Sequence, residues 1–327
     1  MNFNKTVNII VLNFNNSGDT VECLESILES NQNNFRIIVV DNASTDNSYE
    51  VLLNWFELHT TKKTLGESSF DTFSDGDTPP NEGFLKRLVL IKSLNNNGYG
   101  AGNNIAIRIL KGSVDSEYIW ILNNDTAILP DTMEQLLISM NDLEKVNNVG
   151  FIGSHILYYD EKELSQSAGY LNKILWKRKG LVEGHELSKQ GTYEVDDLSG
   201  CSLFFSMNMV ESIGLIPEEY FLYFEETDWI YNAKLQGFKH FVNSHSKLYH
   251  KEARSTGGVS SPFVLYYMTR NKLNFIRKNF HSYFLPYSIF FSFKILLKAG
   301  FFSFQNTKMS QAVFKGLFHG LINVKGK

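Results

Sequence analysis

The sequence predicts an α/β fold in which helices flank a mostly parallel β-sheet. Short apolar segments alternate with helical ones through the first 146 residues, which is typical of consecutive strand–helix–strand units. The apolar segments contain few polar residues, and this indicates strands that are buried on both faces. Each of them is followed by a polar loop, and open α/β sheets bind ligands beyond the carboxyl ends of their strands.

Four strand–helix pairs make up the first half of the chain. The predicted strands cover residues 7–12, 35–40, 88–91 and 118–122, and the helices that follow them cover residues 19–29, 47–56, 103–110 and 132–146. Residues 58–86 interrupt the pattern with a polar stretch rich in Gly, Pro, Ser and Asp. This composition predicts a surface insertion, to which no chemistry is assigned.

The second half of the chain is less regular. A strand is predicted at residues 149–156, a hairpin-like stretch runs on to Val182, and a helix is predicted at residues 225–236. Aromatic and basic residues dominate the end of the chain. The sequence therefore predicts an α/β domain over residues 1–260 and a helical C-terminal region over residues 261–327.

Composition limits the class of protein. A chain of 327 residues with 43% hydrophobic content can bury one large core or two modest ones. Cys23 and Cys201 lie far apart and match no metal-binding spacing, so free thiols in a reducing compartment are expected. The apolar run at residues 7–12 is too short for a signal peptide, and a cytoplasmic protein is expected.

Four loops after the predicted strands supply candidate binding residues. These are Asn13, Phe14 and Asn15 in the first loop, Asp41 in the second, Asn97, Gly98 and Asn103 in the third, and Asn123, Asn124 and Asp125 in the fourth. Asp41 could accept the imide N–H of a uracil or thymine base. The alternative for this loop is capping alone, in which Ser44 or Asp46 caps the following helix. Glycines before a helix allow backbone N–H groups to approach a phosphate or a sugar. The glycine-rich loop follows the third strand, so it does not fit the dinucleotide-binding motif, which follows the first.

The order of these loops resembles the family-2 glycosyltransferases, which are inverting enzymes of the GT-A fold. The stretches that carry the resemblance are IVLNFNN, VVDNASTDNS, NNNGYGAGNN, LNNDT, LSGCSLFF, EEYFLYFEETDW, LYHKEARST and YYMTRNKL. They span about residues 7–280 outside the insertion, and they resemble in particular the bacterial rhamnosyltransferase-like branch. The resemblance implies a Rossmann-like GT-A sheet that binds a nucleoside-diphosphate sugar.

The resemblance implies a metal site at the fourth loop. Asp125 matches the last residue of the family's Asp-x-Asp motif, Asn123 stands where many relatives have the first Asp, and His250 lies close to the position of a metal-binding histidine. Oxygen ligands suit Mg²⁺, and an imidazole favours Mn²⁺. One carboxylate and one amide predict weak metal affinity until the donor is bound. Ordinary packing of His250 and a ribose contact by Asn123 are the alternatives.

The resemblance also implies a base that removes the proton from the acceptor hydroxyl. Glu226 stands at the family's base position, with Glu225 as the fallback and Asp228 as a supporting acid. The expected arrangement has Glu226 across the pocket from the cation. The alternative is that these three acids only stabilise the N-terminus of a helix.

Two further stretches match the donor and acceptor pocket of the family. Ser199, Gly200 and Cys201 stand where relatives line this pocket, and a tight bend in a strand would explain the same residues. Arg270 matches a position near the diphosphate, and Arg suits phosphate contact. A role within the basic C-terminal region is the alternative for Arg270.

The C-terminal region has the strongest charge asymmetry of the chain. After Glu252 there are eleven Lys and Arg residues and no Asp or Glu, so the last 75 residues carry +11 and the first 252 carry −15. Fourteen aromatic residues lie within residues 263–304, where Lys294 and Lys298 interrupt any bilayer-spanning stretch. This mixture predicts a helix on an anionic membrane surface. Packing on the core or at a dimer interface is the alternative, and the acidic body argues against nucleic acid.

These features predict a metal-dependent inverting glycosyltransferase on the inner face of a bacterial membrane. It would move a sugar, with rhamnose expected, from a dTDP- or UDP-type donor to a saccharide or lipid-linked saccharide in cell-surface polysaccharide synthesis. One alternative is a nucleotidyltransferase, but LNFNNSGDT lacks the basic residue that its first loop normally has. A sugar-binding scaffold, motivated by Asn123, is the other. A homo-oligomer is compatible with the sequence.

Overall fold

The computed structural model describes residues 5–77, 85–111, 113, 116–159, 168–172, 177–180, 191–251 and 261–327. The strands within these residues are β1 (Val7–Asn13), β2 (Phe35–Asp41), β3 (Asp71–Ser74), β4 (Leu88–Lys92), β5 (Tyr118–Asn123), β6 (Thr126–Ile128), β7 (Val149–Tyr158), β8 (Ala168–Asn172), β9 (Lys177–Gly180), β10 (Thr192–Val195), β11 (Asp197–Leu198), β12 (Ser202–Ser206) and β13 (Lys239–His250). The helices are α1 (Ser17–Leu28), α2 (Ser48–Thr61), α3 (Tyr99–Lys111), α4 (Thr132–Leu143), α5 (Met207–Ile213), α6 (Glu225–Leu235), α7 (Pro262–Asn279), α8 (His281–Gln305) and α9 (Thr307–Leu321).

A large mixed sheet forms the centre of the α/β part. Among the described residues it has ten strands in the order β10-β13-β7-β12-β5-β1-β2-β4-β3, with β6 paired to β13. The run from β5 through β1, β2 and β4 to β3 is parallel, whereas β12 is antiparallel to both β5 and β7. The predicted α/β class, with a mostly parallel sheet flanked by helices, is confirmed.

The parallel strands are buried because helices cover the sheet. Val7, Ile9 and Val11 alternate along β1 and belong to one apolar cluster with Leu24 of α1 and Leu136 of α4. Successive side chains of a strand point to opposite faces of the sheet, so the residues that alternate with Val7, Ile9 and Val11 point to the other face. Each large aliphatic side chain buried in this way contributes about 1.5–3 kcal/mol relative to leaving it exposed.

The strand register brings polar strand ends to one edge of the sheet. Asn13 at the end of β1 is paired with Asp41 at the end of β2, and Leu12 is paired with Asn123 at the end of β5. Parallel strands end at the same edge, so the loops after β1, β2 and β5 are neighbours. This edge is where the sequence predicts ligand binding.

β3 and β13 are among the strands that the sequence did not predict, whereas β8 and β9 agree with the predicted hairpin-like stretch. Residues 71–74 of the predicted insertion form the edge strand β3, although residues 78–84 of that insertion lie outside the described part. The long strand β13 has no counterpart among the predicted elements. β8 and β9 form an antiparallel pair within the predicted hairpin-like stretch, and the rest of that stretch up to Val182 lies outside the described residues.

The chain divides into two compact units. The sheet unit consists of Met1–Asn96, Ala101–Ile216 and Trp229–Lys251, and the helical unit consists of Asn97–Gly100, Pro217–Asp228 and Glu252–Lys327. In the helical unit α7, α8 and α9 pack against one another, as expected for a helical C-terminal region. None of the described helices is long and apolar enough to cross a bilayer. The division into domains at residue 260 stays a prediction.

Candidate active site

The first turn of α1 ties several strand ends of the sheet unit together. The Asn13 amide donates to Asp41 Oδ1 at 2.8 Å and accepts from the Thr20 hydroxyl on α1 at 2.8 Å. The Asn124 amide donates to the same hydroxyl at 2.9 Å. Asn13 and Asp41 are buried, so these two residues support the loops that follow β1 and β2. Direct donor contact by Asn13 or Asn124 stays a prediction.

Both carboxylate oxygens of Asp41 are occupied by neighbouring groups. Besides the bond from Asn13, Oδ1 accepts from the Ser44 hydroxyl at 2.6 Å and Oδ2 accepts from the Ser44 N–H at 3.1 Å. These bonds close a local turn between Asp41 and Ser44 and do not reach α2, which begins at Ser48. The Ser48 N–H instead donates to Asp46 Oδ1 at 2.9 Å, which agrees with the expected capping by Asp46. A bond from Asp41 to a base imide stays a prediction.

Phe14 and Asn15 form the outer part of the first loop. Phe14 is 40% exposed, and Asn15 has a positive φ of 51°. The Asn15 side chain fixes this turn by accepting a hydrogen bond from the Thr45 N–H at 2.7 Å. An exposed ring on a fixed loop suits packing against a planar base. Phe14 and Asn15 are thus both accessible from solvent in the first loop, and their contact with a nucleotide stays a prediction.

The glycines of the third loop serve packing within the chain. α3 begins at Tyr99, four residues earlier than predicted, so Gly100 and Gly102 lie within its first turn. Gly98 has a φ of 101°, and a Cβ there would overlap the backbone of Phe221 within the helical unit. A Cβ on Gly102 would lie 2.5 Å from Leu12 Cδ1 in the sheet unit. Close packing explains these glycines without a phosphate.

The two Asn candidates of the third loop differ in exposure. Asn97 is exposed, whereas Asn103 is buried within α3. A buried amide inside a helix cannot reach a ligand without a change in its surroundings. The structure therefore supports donor contact by Asn97 more than by Asn103, and both assignments stay predictions.

Asp125 and His250 lie side by side at the edge of the sheet. The antiparallel pairing of β6 with β13 sets His250 opposite Thr126, the residue after Asp125. His250 Nε2 lies 3.1 Å from Asp125 Oδ1, and the two side chains are only 15% and 7% exposed. The Lys251 N–H donates to the Asp125 carbonyl at 3.0 Å and extends the ladder. Strand register alone therefore joins two residues that are far apart in the sequence.

Asn123 connects the acid loop to the predicted pocket residues. Its N–H donates to the Cys201 carbonyl at 2.9 Å, and its carbonyl accepts from the Thr126 hydroxyl at 2.7 Å. Since β12 begins at Ser202 and pairs with β5, residues 199–201 lie directly beside the end of β5. Ser199, Gly200 and Cys201 are thus neighbours of the acid loop. Both Cys201 and Cys23 are buried free thiols, as predicted.

A charged network next to His250 has no counterpart among the predicted site residues. The Lys251 ammonium lies 2.6 Å from Asp19 Oδ1 and 2.5 Å from Glu22 Oε2, both on α1. The Tyr159 hydroxyl donates to Glu22 at 2.6 Å. The bond from Lys251 lowers the pKa of Glu22. The network ties the end of β13 to α1, and its sequence signal is a lysine directly after the candidate histidine.

The donor set at the sheet edge fits a divalent cation that a ligand also binds. No group of three or more His, Cys, Asp and Glu side chains among the described residues is arranged to hold a metal alone. Asp125 and His250 supply one hard oxygen and one imidazole nitrogen, 3.1 Å apart and shielded from solvent. Mg²⁺ and Mn²⁺ commonly take the remaining positions from phosphate oxygens and water.

The predicted acids begin helix α6 and belong to the acidic segment, defined here as residues 217–228. Asp228 is buried, and its carboxylate accepts hydrogen bonds from Lys278 and Asn279 of α7, both at 2.6 Å. Both of its oxygens are therefore engaged. These contacts do not support the predicted part of Asp228 in orienting the acceptor, and they indicate that it anchors the segment to α7.

Glu225 and Glu226 have different surroundings. Glu225 is buried, and its Oε2 has no hydrogen-bond partner among the described residues. Burial, and then the negative charge of Glu226, raise the pKa of Glu225 well above its ordinary value. Glu226 is partly exposed. A raised pKa makes the charged, proton-accepting form of Glu225 less available, so this difference favours Glu226 as the base.

The backbone before these acids is unusual and is held by side chains of α7. Phe221, Tyr223 and Phe224 all have positive φ values, of 70°, 66° and 77°. Such conformations cost roughly 1–3 kcal/mol each in non-glycine residues and persist only where surrounding contacts enforce them. The Asn271 amide donates to the carbonyls of residues 220, 222 and 223 at 3.0, 2.8 and 2.9 Å. α7 therefore fixes the conformation that leads into α6.

Arg270 takes part in the same anchoring. It is fully buried, and its guanidinium donates to the Tyr220 carbonyl at 2.7 Å and to Asn271 Oδ1 at 2.8 Å. The guanidinium carbon also lies 4.7 Å from the centre of the Tyr267 ring. These contacts do not support the predicted diphosphate contact. They indicate that Arg270 stabilises the acidic segment, a role that the sequence motif does not indicate.

The mostly parallel sheet flanked by helices is an α/β fold of the GT-A type, as its likeness to solved glycosyltransferases shows. The glycosyl transferase family 2 model matches residues 8–66 and 71–214, which is more than half of the chain. The chain belongs to glycosyltransferase family 2.

A curated relative is the low-salt glycan biosynthesis hexosyltransferase Agl10 of Haloferax volcanii. It is 26% identical over 144 residues, which cover 44% of this chain and 45% of the relative. The match thus spans less than half the length of that relative.

Two solved structures share the fold. The mannosyltransferase PcManGT from Pyrobaculum calidifontis, in complex with GDP-Man and Mn²⁺, has a TM-score of 0.57 and 13% identity, covering 97% of this chain and 87% of that one. GalNAc-T7 with UDP, GalNAc and Mn²⁺ has a TM-score of 0.55 and 14% identity, covering 81% and 47%. At these identities the likeness concerns the fold alone.

Proposed function

We propose that this glycosyltransferase transfers a sugar from a nucleoside-diphosphate sugar to a saccharide or lipid-linked saccharide during glycan synthesis. The observation that carries the proposal is the contact of 3.1 Å between Asp125 and His250 at the carboxyl edge of the sheet. An acid and a histidine beside the nucleotide-binding edge suit a reaction in which negative charge leaves on a diphosphate. Glycan synthesis is also the role named for the relative Agl10.

We propose that Asp125, His250 and Asn123 hold one Mn²⁺ or Mg²⁺ together with the donor diphosphate. A bound divalent cation would act as a Lewis acid that neutralises charge on the departing diphosphate. The two similar structures were both determined with Mn²⁺, which supports a divalent metal. The imidazole of His250 favours Mn²⁺ over Mg²⁺.

We propose an inverting reaction with Glu226 as the base. The acceptor oxygen forms a bond to the anomeric carbon, the bond from that carbon to the diphosphate oxygen breaks, and Glu226 takes the hydroxyl proton. Support comes from the partial exposure of Glu226 and from the raised pKa of Glu225, which leaves Glu226 as the more available carboxylate. Glu225 remains the fallback.

The donor sugar and the acceptor are the finer parts of the proposal. Rhamnose on a dTDP- or UDP-type carrier follows from the resemblance of the motif order to rhamnosyltransferases. The similar structures contain GDP-Man in one case and UDP with GalNAc in the other. The test therefore includes donors with several different nucleobases. A lipid-linked acceptor would place the enzyme at the inner face of the cell membrane.

A thermal-shift panel tests the proposed reaction. The full chain is heated with each of several UDP-, dTDP- and GDP-sugars, with and without Mn²⁺, and donors that stabilise it are then incubated with the protein to detect hydrolysis. We expect one diphosphosugar to raise Tm only when Mn²⁺ is present, and this donor to be hydrolysed slowly. An NMR assignment of the product anomer then tests inversion.

The same panel separates the alternatives. Stabilisation by a nucleoside triphosphate plus a sugar phosphate would indicate a nucleotidyltransferase. Donor binding that is indifferent to Mn²⁺, without any turnover, would indicate a sugar-binding scaffold. Either result would overturn the proposed metal-dependent transfer.

A further inference from the structure

Helix α8 carries large apolar side chains on two opposite faces. Tyr287, Ile295 and Ala299 are buried where α8 packs within the bundle of the helical unit. On the other side a second set is exposed at helical spacing. This set, called here the outer face of α8, consists of Leu285 (68% exposed), Ile289 (66%), Phe293 (61%), Leu296 (47%) and Leu297 (61%).

Such a pattern is unusual for a helix at the surface of a soluble bundle. A surface helix normally buries one apolar stripe and exposes a polar one, whereas a helix that is apolar on all sides is buried in protein or in lipid. Isolated exposed apolar residues need no explanation, but five on one face form a contiguous patch. The outer face therefore requires a partner, and the charges around it indicate which kind.

The basic residues border the outer face. Lys294 and Lys298 directly follow Phe293 and Leu297, about 100° further around the helix, and both lysines are exposed. Their ammonium groups lie 5.6 Å and 5.4 Å from the rings of Phe290 and Phe302. Neither lysine has an ion-pair partner among the described residues. Long lysine chains that cover apolar surface with free charged ends are suited to a headgroup layer.

Helix α9 repeats the combination. Phe314, Phe318 and Leu321 are exposed at intervals of four and three residues, and Lys315 lies among them. The chain has no acidic residue after Glu252, so nothing within these two helices neutralises the lysines.

We propose that the outer face of α8 lies in the interfacial layer of an anionic phospholipid bilayer, with Lys294 and Lys298 at the lipid phosphates. The apolar side chains supply the buried area, and the lysines supply selectivity for anionic lipid. The helix lies along the surface rather than across it, in keeping with the absence of a bilayer-spanning helix among the described ones. The proposal deepens the proposed function by naming the membrane contact of an enzyme with a lipid-linked acceptor.

A second copy of the chain fits this face less well. A symmetric dimer brings the same patch of two copies together. Lys294 and Lys298 of one copy would then approach those of its partner, without acids nearby in α8 or α9 to compensate. Like charges at an interface disfavour association, whereas anionic lipid attracts both lysines.

Co-sedimentation of the full chain with vesicles tests the proposal. One set of vesicles is pure phosphatidylcholine, and the other contains about one-third phosphatidylglycerol. We expect binding to the anionic vesicles, with the bound fraction reduced by high salt. The double variant Ile289→Glu/Phe293→Glu should bind at least about tenfold more weakly, because it places two charges where lipid tails would lie. Lys294→Gln/Lys298→Gln should lose mainly the preference for anionic vesicles.

A matched control changes equally exposed apolar residues elsewhere. Val146→Glu/Leu235→Glu introduces the same two charges on exposed positions of the sheet unit, which are 79% and 64% exposed. This control should bind vesicles nearly as the wild type does, apart from a small effect of its added negative charge. Circular dichroism and donor hydrolysis without vesicles should be unchanged in the outer-face variant, which shows that it folds.

Three outcomes would overturn the membrane proposal. The first is that the wild-type chain does not bind anionic vesicles, and the second is that the sheet-unit control loses binding as strongly as the outer-face variant. The third is that the outer-face variant changes only the oligomeric state on gel filtration. The last result would assign the face to contacts between copies. Vesicle binding is measured without a sugar donor. The membrane proposal can therefore fail while the proposed sugar transfer holds, and the reverse is also possible.

Discussion

The two groups of candidate catalytic residues are held in place by different means. In the sheet unit, Asp125 and His250 are joined by the backbone ladder between β6 and β13. In the helical unit, the acidic segment has three residues with positive φ and depends on side chains of α7 that bind its carbonyls. Changing a side chain of the first group should therefore alter chemistry without altering the fold. Changing a supporting side chain of the second should alter both.

The largest effect is expected for Asp125→Asn. The amide keeps the size of the side chain but removes the negative charge proposed to bind the cation, so kcat should fall by about three orders of magnitude, or about 4 kcal/mol. Initial rates with the donor that the panel identifies measure this change. Tm should move little because the ladder is untouched.

Asp131→Asn is the control for that variant, since Asp131 is exposed just before α4. It should retain the wild-type rate. A wild-type rate in Asp125→Asn would exclude Asp125 as a ligand that matters for the reaction.

Asn271→Ala should destabilise the protein most among changes in the helical unit. Removing the amide takes the Asn271 donor away from the carbonyls of Leu222 and Tyr223 and leaves the Tyr220 carbonyl with the bond from Arg270. We expect the free energy of unfolding to fall by about 3 kcal/mol, measured by urea denaturation, and kcat to fall as well. Met268→Ala, at an exposed position of the same helix, should cost less than about 1 kcal/mol. Equal stability of the two variants would show that Asn271 does not hold the segment.

Glu225→Gln should have the smallest effect, and its size should depend on pH. The raised pKa means that folded Glu225 keeps its proton at pH values where the unfolded chain, with an ordinary value near 4.5, has lost it. Stability of the wild type therefore falls as pH rises above that ordinary value, and the Gln variant lacks this loss. The free energy of unfolding of the variant relative to the wild type should therefore increase as the pH rises above about 4.5, measured by urea denaturation at several pH values.

Glu211→Gln provides the comparison for the pH experiment, because Glu211 is exposed on α5. Its free energy of unfolding relative to wild type should be nearly constant over the same pH values. A constant difference for Glu225→Gln would mean that Glu225 ionises as readily in the folded protein as in the unfolded one.

The fold was predictable from the sequence where burial and hydrophobicity agree. The parallel strands β1, β2, β4 and β5 are largely apolar runs, and each ends one residue beyond its predicted end. β13 was missed because several of its buried residues are polar. His240 is bonded to the Phe151 N–H and the Ile230 carbonyl, and Asn243 to the Gln135 carbonyl. Partners that are distant in the sequence satisfy these groups, and no local pattern reveals them.

The candidate site was predictable to a different extent in its two parts. Asp125 follows a buried strand, and the family motif led to His250, whose contact with Asp125 could not be read from either stretch alone. The ligand contacts predicted for Gly98 and Arg270 agree less well with the structure than the pairing of Asp125 and His250 does. Both residues pack against the acidic segment. A glycine or an arginine in a motif looks the same whether it contacts a ligand or the chain itself. Only the surrounding structure distinguishes the two.

Binding of Mn²⁺ measured by electron paramagnetic resonance, with and without UDP, tests the central claim that Asp125 and His250 share one cation with a diphosphate. We predict weak binding to the wild type alone, affinity at least about tenfold higher with UDP, and loss of this gain in both Asp125→Asn and His250→Ala. Wild-type affinity in either variant in the presence of UDP would contradict the shared site.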